Sequence, residues 1–196
     1  MIATLYDIHG NLPALEAVLA EIPDDATIVV GGDVCFAGPQ PSEVLERLRA
    51  LGDRIVWVRG NTDRTITTEA GLSDEQVSFL HSLPATQQID RVLYVHATPR
   101  NDMDIFTELT PEDHIAFLFQ DVDADVVVCG HTHMQFDRTI AGKRVVNSGS
   151  VGKPFEDEPG AYWTLDLEPR RTRYEGAPEE ERSRAETLVE YTRIGL

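Results

Sequence analysis

Histidine, aspartate and asparagine residues recur directly after short apolar runs of this sequence. The runs and the residues after them are 2–6 with Asp7 and His9, 27–30 with Asp33, 55–58 with Asn61 and Asp63, 92–95 with His96, and 126–129 with His131 and His133. Imidazole, carboxylate and amide ligands together suit Mn, Fe, Ni, Co or Zn better than Ca or Mg, which prefer oxygen ligands alone. These residue types therefore indicate a metal site, and we expect it to carry out redox-inert hydrolysis.

The spacing within this set predicts that its members share one site. Asp7 with His9, and His131 with His133, are two residues apart, and such residues point the same way in an extended segment. A glycine stands directly before three members of the set, namely Asp33, Asn61 and His131. Glycine lets the backbone turn sharply and bring the next side chain toward the ions.

The elements that must position these residues form an α/β pattern. The Val- and Ile-rich runs, bounded by turn residues, predict buried strands. Helical apolar spacing over residues 12–22 and 44–51 alternates with them, Ser73 and Gln76 resemble a capping box, and Thr110 before Pro111 predicts a helix N-cap. Ligands bind at the carboxyl ends of strands in open α/β sheets, so five loops should converge there. Residues 135–140, 143–147 and 161–167 predict consecutive strands, which indicates an antiparallel portion.

The length of 196 residues suits one domain with a small appendage. We assign residues 1–167 to the domain and residues 168–196 to a charged C-terminal tail packed on it. Pro178 and the glutamates after it suit the first turn of a helix, and Leu188, Val189 and Tyr191 offer a thin apolar stripe. The tail is therefore predicted to be helical.

Composition restricts the partners and the location. The chain has 34 acidic and 17 basic residues, a formal charge of -17, and no basic run, which disfavours binding of extended nucleic acid. A small phosphorylated substrate remains compatible because metal ions supply positive charge locally. Two cysteines and no apolar run of transmembrane length favour a soluble protein of the reducing cytoplasm that does not bind membranes. No feature predicts an oligomeric state.

The ordered set DxH, GD, GNxD, H and GHTH resembles the calcineurin-like metallophosphoesterase superfamily, in particular its small bacterial and archaeal phosphodiesterase branch. Two further segments are typical of that branch, Ile8-His9-Gly10-Asn11-Leu12 and Asn147-Ser148-Gly149-Ser150-Val151-Gly152. The resemblance covers residues 2 to about 167. It implies a four-layer α/β/β/α sandwich of two mixed β-sheets and two divalent metal ions, of which manganese is favoured.

The resemblance also implies roles for individual residues. One ion would be held by Asp7, His9, Asp33 and His133, and the other by Asp33, Asn61, His96 and His131, with Asp33 as the bridging carboxylate. The catalytic candidates are Asn61, Asp63 and His96. The candidates for substrate contact are Asn11 and Arg64. Independently of the resemblance, Arg64 and Arg100 are either ligands for phosphate oxygens, which suit arginine, or ordinary surface residues. Ions about 3.5–4 Å apart can share a water as hydroxide, so the implied reaction is in-line hydrolysis of a P–O bond in a small phosphate ester or nucleotide.

Thr62 departs from the family pattern. Many members have a histidine at this position, steered by the acid after it, to protonate the leaving oxygen. Threonine is a poor general acid, so a contribution of roughly 10²–10⁴-fold would be missing or supplied by another group. We therefore predict a preference for good leaving groups, and for diesters over simple alkyl monoesters.

Two other functions compete with this interpretation. Some relatives have lost ligands and serve as protein-binding scaffolds, and a nuclease would use the same ions on nucleic acid. The complete ligand set argues against the scaffold, and the acidic composition argues against the nuclease. Bound metal per chain and the salt dependence of oligonucleotide binding would separate the three functions.

Overall fold

The computed structural model describes residues 1–176 of the 196-residue chain. The strands are β1 (Ile2–Leu5), β2 (Thr27–Val30), β3 (Ile55–Trp57), β4 (Thr86–Ile89), β5 (Val92–Val95), β6 (Val126–Cys129), β7 (Phe136–Ile140), β8 (Lys143–Asn147), β9 (Ala161–Leu165) and β10 (Glu168–Thr172). The α-helices are α1 (Leu12–Leu19), α2 (Pro41–Arg49), α3 (Asn61–Thr65), α4 (Asp74–Ser82) and α5 (Glu112–Ile115). Short 3₁₀ segments cover Gly52–Arg54, Thr68–Ala70 and Ala116–Leu118.

Two five-stranded sheets form the centre of the fold, in the orders β10-β9-β1-β2-β3 and β4-β5-β6-β8-β7. In the first sheet β1, β2 and β3 are parallel, whereas β9 and β10 are antiparallel to their neighbours. In the second sheet β5, β6 and β8 are parallel, and β4 and β7 form antiparallel edges. Both sheets are mixed, as predicted.

Successive side chains of a strand point to opposite faces of its sheet, and this alternation produces the layers. In β1, Ala3 and Leu5 pack against the buried faces of α1 and α2, while the next residue, Tyr6, faces the other sheet. In β6, Val127 and Cys129 pack toward the segment that contains α5. Buried residues between the two sheets come from both of them: Tyr6, Val29, Val58, Tyr94 and Val128. The four-layer α/β/β/α sandwich is therefore confirmed.

A buried chain of hydroxyl groups crosses from one sheet to the other. Thr4 Oγ1 lies 2.6 Å from Thr164 Oγ1 and 2.9 Å from Ser148 Oγ. Ser148 Oγ also donates to the Thr4 carbonyl. These hydrogen bonds satisfy buried polar groups and hold the sheets in register beneath the loops described below.

The C-terminal tail was predicted to begin at residue 168, and this start is wrong. Residues 168–172 form strand β10, paired antiparallel with β9, and the indole of Trp163 donates to Thr172 Oγ1. A charged segment suits the edge of a sheet as well as an exposed helix, and Pro169 is tolerated in an edge strand, so composition did not separate the two structures. The helix predicted from Pro178 lies outside the described residues.

The predicted N-cap at Thr110 is also wrong. Helix α5 begins at Glu112 with Pro111 in the cap position. The Thr110 hydroxyl instead accepts the backbone N–H of Thr107, which closes the preceding turn. The capping box of Ser73 and Gln76 is confirmed at the start of α4. Within residues 1–176, no helix is both long enough and apolar enough to cross a membrane.

Candidate metal centre

The predicted ligands come together at one edge of the two sheets. Asp7 and His9 follow β1, Asp33 follows β2, Asn61 begins α3 after β3, His96 follows β5, and His131 and His133 follow β6. Backbone hydrogen bonds tie these loops together: Asp7 N–H donates to Gly32 O, His9 N–H to Asp33 O, and Gly130 N–H to His96 O. The convergence expected at the carboxyl ends of the strands is therefore present.

The ligand loops reach this arrangement through left-handed backbone, and the extended geometry expected for the two i, i+2 pairs is wrong. The residues with positive φ here are Asp7 (53°), His9 (50°), Asp33 (54°), His131 (66°) and His133 (63°). Non-glycine residues rarely adopt this conformation, which costs roughly 1–3 kcal/mol each, and such strain concentrates at functional sites. The interactions of the folded chain hold these five side chains toward a common centre.

The glycines before the ligands serve two purposes. Gly32 has φ of 96°, so its role as a sharp turn is confirmed. Gly60 has φ of -90°, and its Cα lies so close to the Asp33 carboxylate that a Cβ would overlap it. A Cβ on Gly130 would lie 2.6 Å from Asp7 Oδ2. At Gly60 and Gly130 the requirement is therefore close approach to a carboxylate.

The Asp7 carboxylate lies at the middle of the cluster. Its Oδ2 accepts the backbone N–H of His131, while its Oδ1 is buried without a hydrogen-bond partner among residues 1–176. Three imidazole Nε2 atoms surround Oδ1, at 3.3 Å for His133, 3.8 Å for His9 and 4.0 Å for His96. A buried carboxylate oxygen without a partner is costly, and a cation would satisfy it.

The hydrogen bonds of the histidines also fit a bound cation. His9 Nδ1 lies 2.8 Å from Phe36 O, and His133 Nδ1 lies 2.6 Å from Lys153 O. A carbonyl oxygen only accepts, so each Nδ1 carries a proton, and each ring can direct an Nε2 lone pair into the cluster. These two Nε2 atoms are 3.1 Å apart. Two lone pairs at that distance repel unless a positive charge lies between them, so the residues fit a metal ion.

His96 presents the same chemistry from the second sheet. Its Nδ1 lies 2.9 Å from Gly31 O, and its Nε2 faces Asn61 Oδ1 at 3.0 Å and Asp33 Oδ1 at 3.5 Å. Asp33 directs its other oxygen toward His9 Nε2, at 4.0 Å. The centres of the His131 and His96 rings are 5.1 Å apart.

Two overlapping groups of side chains could each hold an ion. Ligand atoms lie within 4.8 Å of one another in the group of Asp7, His9 and His133, and in the group of Asp7, Asp33 and His96. Asp7 is common to both groups, whereas the sequence led us to expect Asp33 as the shared carboxylate. Asp33 nevertheless presents one oxygen to each side.

The electrostatics of the cluster favour bound cations. Burial opposes ionisation of Asp7, but His133, His96 and His9 hold the pKa of its carboxyl well below the ordinary value. Burial, followed by His133, lowers the pKa of His9, which keeps that ring neutral and able to bind metal. Burial opposes protonation of His96, but Asp33 and Asp7 raise its pKa. That negative field also attracts a metal ion.

The sequence predicted a catalytic role for Asp63, but in the fold its carboxylate binds backbone N–H groups. Its carboxylate is fully buried and accepts the backbone N–H groups of Asp33, Val34 and Gly60. Burial, followed by the charge of Asp33, raises the pKa of Asp63 to about 6, although the N–H groups of Gly60 and Val34 oppose the rise. Asp63 is therefore a positioning residue that holds the Asp33 loop against the start of α3.

The segment 147–152 also positions ligands, a role that its sequence did not reveal. The Asn147 amide donates to Gly130 O and Thr132 Oγ1, and Ser150 Oγ donates to Asp7 O. These bonds attach the loops after β1 and β6 to one segment. The serines on either side of Gly149 were the available signal, but the loops that this segment reaches are distant in sequence.

Asn11 is placed differently from its predicted contact with substrate. Its Oδ1 accepts the N–H of Ala14 and caps α1, while its Nδ2 donates to Gly152 O and to the Tyr174 hydroxyl. The amide is thus fully engaged within the protein, and the geometry assigns Asn11 to helix capping. The loop that carries His9 benefits because α1 begins directly after it.

The predicted phosphate-binding arginines lie beside the cluster, in ion pairs. Arg64 forms a two-pronged contact with Asp102, at 2.8 and 3.2 Å. Arg100 pairs with the buried Asp104. Both arginines line a pocket that also contains His96. Direct contact of either arginine with substrate stays a prediction.

Comparison with known proteins identifies the family. The model for the calcineurin-like phosphoesterase superfamily domain matches residues 1–170. Phosphodiesterase YfcE of Escherichia coli K12 is 29% identical over 174 residues, covering 82% of this chain and 84% of that protein. A symmetrical bis(5'-nucleosyl)-tetraphosphatase of Pectobacterium carotovorum is 30% identical over 122 residues, covering 50% of this chain and 43% of that protein.

A solved structure shares the whole fold. The metallophosphoesterase from Sphaerobacter thermophilus matches with a TM-score of 0.72 and 25% identity, covering 100% of this chain and 99% of that chain. Metallophosphoesterases use divalent metal ions, which agrees with the two groups of candidate ligands. Because the family match spans most of its length, the chain belongs to the calcineurin-like phosphoesterase superfamily.

Proposed function

We propose that this phosphoesterase uses two divalent ions, with manganese favoured and Fe, Ni, Co or Zn as alternatives, to hydrolyse a small phosphate ester or nucleotide in the cytoplasm. The observation that carries the proposal is the set of three imidazole Nε2 atoms around the unpartnered Asp7 Oδ1. Burial of two like-charged carboxylates close together is a poor arrangement for stability alone. It is a good arrangement for holding cations.

The proposed ligands are divided between two positions. Asp7, His9, Asp33 and His133 hold one ion, and Asp33, Asn61, His96 and His131 hold the other. The two directions of the Asp33 oxygens support a bridging role for that carboxylate. When bound, two such ions acidify a shared water for in-line attack and neutralise charge on the phosphate oxygens.

The side chains of α3 account for the rest of the chemistry. Asn61 turns its carbonyl oxygen toward His96, which leaves its amide N–H to donate to a phosphate oxygen as charge develops there. Thr62 donates its backbone N–H to Asp33 Oδ1, and its hydroxyl is buried without a hydrogen-bond partner in the described part of the chain. The Thr62 hydroxyl is a weak proton donor, so the leaving oxygen departs without strong acid assistance.

The substrate class follows from this absence of a strong acid. Esters with good leaving groups need little protonation, so aryl diesters and phosphoanhydrides should react faster than alkyl monoesters. One of the two relatives is named a phosphodiesterase and the other a symmetrical bis(5'-nucleosyl)-tetraphosphatase. The first name refers to a phosphodiester and the second to a phosphoanhydride. Small molecules of these two kinds are the substrates that we propose.

A substrate panel tests the proposal. Metal-stripped protein is supplied with Mn, Fe, Ni, Co or Zn and assayed on bis-p-nitrophenyl phosphate and glycerol phosphate. We expect metal-dependent hydrolysis with a strong preference for the aryl diester, and its loss in Asp33→Ala. Asp121→Ala, which removes an exposed carboxylate, is the matched control and should remain active. Inactivity with all five metals would refute the phosphoesterase proposal, and preference for glycerol phosphate would refute the leaving-group argument.

A further inference from the structure

A cavity of about 200 Å³ opens beside the candidate metal centre. Its lining includes Arg59, Arg64, Thr98, Arg100, Asp102 and His96, and we call it the arginine pocket. His96 also faces Asn61 and Asp33 in the metal cluster. A substrate whose phosphate sits at the metal cluster would therefore have the arginine pocket next to it.

The arginine pocket differs in charge from the rest of the molecule. The chain carries a formal charge of -17, yet three arginines line this cavity against one carboxylate, that of Asp102. Asp102 forms an ion pair with Arg64, and Arg100 forms one with Asp104. The third arginine, Arg59, leaves the arginine pocket with net positive charge.

Arg59 is the arginine whose hydrogen-bonding capacity is least used. Its Nη1 donates to the carbonyl of His81 at 3.0 Å, and its Nε is buried without a partner among residues 1–176. No carboxylate pairs with Arg59 in this described part of the chain. The charge of Arg59 is therefore not neutralised within this part of the chain, and guanidinium groups match the oxygens of phosphate well.

The position of Arg59 in the fold links the arginine pocket to the reaction centre. Arg59 lies two residues after the end of β3 and directly before Gly60 and Asn61, and its backbone N–H donates to Pro84 O. The volume lies below the roughly 300–1,000 Å³ of pockets that enclose drug-sized ligands. A compact anionic group fits this description better than a nucleoside does.

We propose that the arginine pocket binds a second phosphoryl group of the substrate, adjacent to the one that is cleaved, and that Arg59 is the specificity-determining residue. The inference rests on the proposed function and refines it to substrates with two neighbouring phosphoryl groups. Arg64 and Arg100, held by Asp102 and Asp104, shape the walls and add to the positive potential. Arg59 supplies a guanidinium group that no carboxylate among residues 1–176 binds.

Three non-hydrolysable probes test this proposal as inhibitors of Mn-dependent hydrolysis of bis-p-nitrophenyl phosphate. Methylphosphonate carries one phosphonate, phosphonoacetate adds a carboxylate, and methylenediphosphonate adds a second phosphonate. The wild type, Arg59→Gln, Arg59→Lys and the distant charge control Arg91→Gln are compared at the same saturating Mn concentration, which cancels chelation by the probes.

We expect methylenediphosphonate to inhibit the wild type most strongly of the three probes. Arg59→Gln should weaken its inhibition constant by about 10-fold relative to that of methylphosphonate, the loss expected for a charge-assisted hydrogen bond. Arg59→Lys should recover part of this preference, and Arg91→Gln should keep all of it. An unchanged preference in Arg59→Gln overturns the proposal, and a wild-type preference for phosphonoacetate overturns the choice of phosphate over carboxylate.

Direct binding separates this inference from the proposed function. Calorimetric titration of methylenediphosphonate into the Mn-loaded full chain measures affinity without catalysis. If the wild type does not hydrolyse the diester but binding still depends on Arg59, the proposed function fails and the arginine pocket stands. If hydrolysis occurs and the affinity is the same in Arg59→Gln, the proposed function stands and the pocket assignment fails.

Discussion

The glycines at the two edges of the sheets have different roles. At the carboxyl edge, a Cβ on Gly60 would overlap the Asp33 carboxylate, and one on Gly130 would lie 2.6 Å from Asp7 Oδ2. At the amino edge, Gly52 and Gly142 have φ of 58° and 76° and nothing within 4 Å of an added Cβ. The amino edge needs glycine only for its backbone conformation. The carboxyl edge needs it because ligands and backbone are packed in contact.

This difference indicates how the site is made rigid. Five of the seven candidate ligands at the carboxyl edge are held in left-handed backbone, and Asp63 and Ser150 bind the loops that carry Asp33 and Asp7. A substitution at this edge should therefore displace a ligand, whereas a similar substitution at the amino edge should change stability alone.

The largest expected effect comes from Gly60→Ala compared with Gly142→Ala. Gly60→Ala must push the Asp33 carboxylate away, and misplacement by about 1 Å should lower kcat/KM by about 10²-fold, with a loss of about 1–3 kcal/mol in unfolding free energy from overpacking. Gly142→Ala should cost about 1 kcal/mol through its left-handed backbone and leave activity intact. Steady-state kinetics and urea unfolding measure both variants. Equal activity losses would remove the distinction between the two edges.

A smaller effect is expected from Asp63→Asn. The asparagine amide has one acceptor oxygen for three backbone N–H groups, so the Asp33 loop and Gly60 lose part of their anchor. Affinity for Mn should fall by roughly 10–100-fold, as is usual when a group that orients a metal ligand is changed. Mn titration of folded protein checks this expectation. Gln76→Ala, at the capping box of α4 away from the cluster, should lower stability and keep Mn affinity. Wild-type Mn affinity in Asp63→Asn would contradict the positioning role.

The smallest effect is expected from Thr62→His, which restores the residue found in many relatives. The imidazole can protonate a poor leaving oxygen, and we expect hydrolysis of glycerol phosphate to rise by about 10-fold, below the usual range for a general acid, because the surrounding residues are not arranged for it. The rate on bis-p-nitrophenyl phosphate should change little. An equal gain on both substrates would show that Thr62 does not limit proton transfer.

The sequence was sufficient to predict which residues meet, but not how they meet. Polar residues after successive strands must converge in an α/β sheet, and the ligand loops do so. The left-handed backbone at Asp7 and His9 depends on bonds to the neighbouring loop, such as Asp7 N–H to Gly32 O, and no local pattern encodes it. The close-packing role of Gly60 and Gly130 likewise depends on carboxylates from other strands.

Pairing that forms only in the folded chain explains the other differences. Arg64 and Arg100 resembled free phosphate-binding groups because Asp102 and Asp104 become their partners only in the fold. Arg59 attracted no prediction since it follows an apolar run, and its place in the arginine pocket is a property of tertiary structure. Strand β10 pairs with β9 across a short turn, although its charged composition suited a helical tail.

Anomalous diffraction at the manganese edge, from crystals of the full chain grown with Mn, tests the central claim most directly. We expect two peaks about 3.5–4 Å apart, one against Asp7, His9 and His133 and the other against Asn61, His96 and His131, with Asp33 in contact with both. A single peak, or ions bound away from these residues, would contradict it.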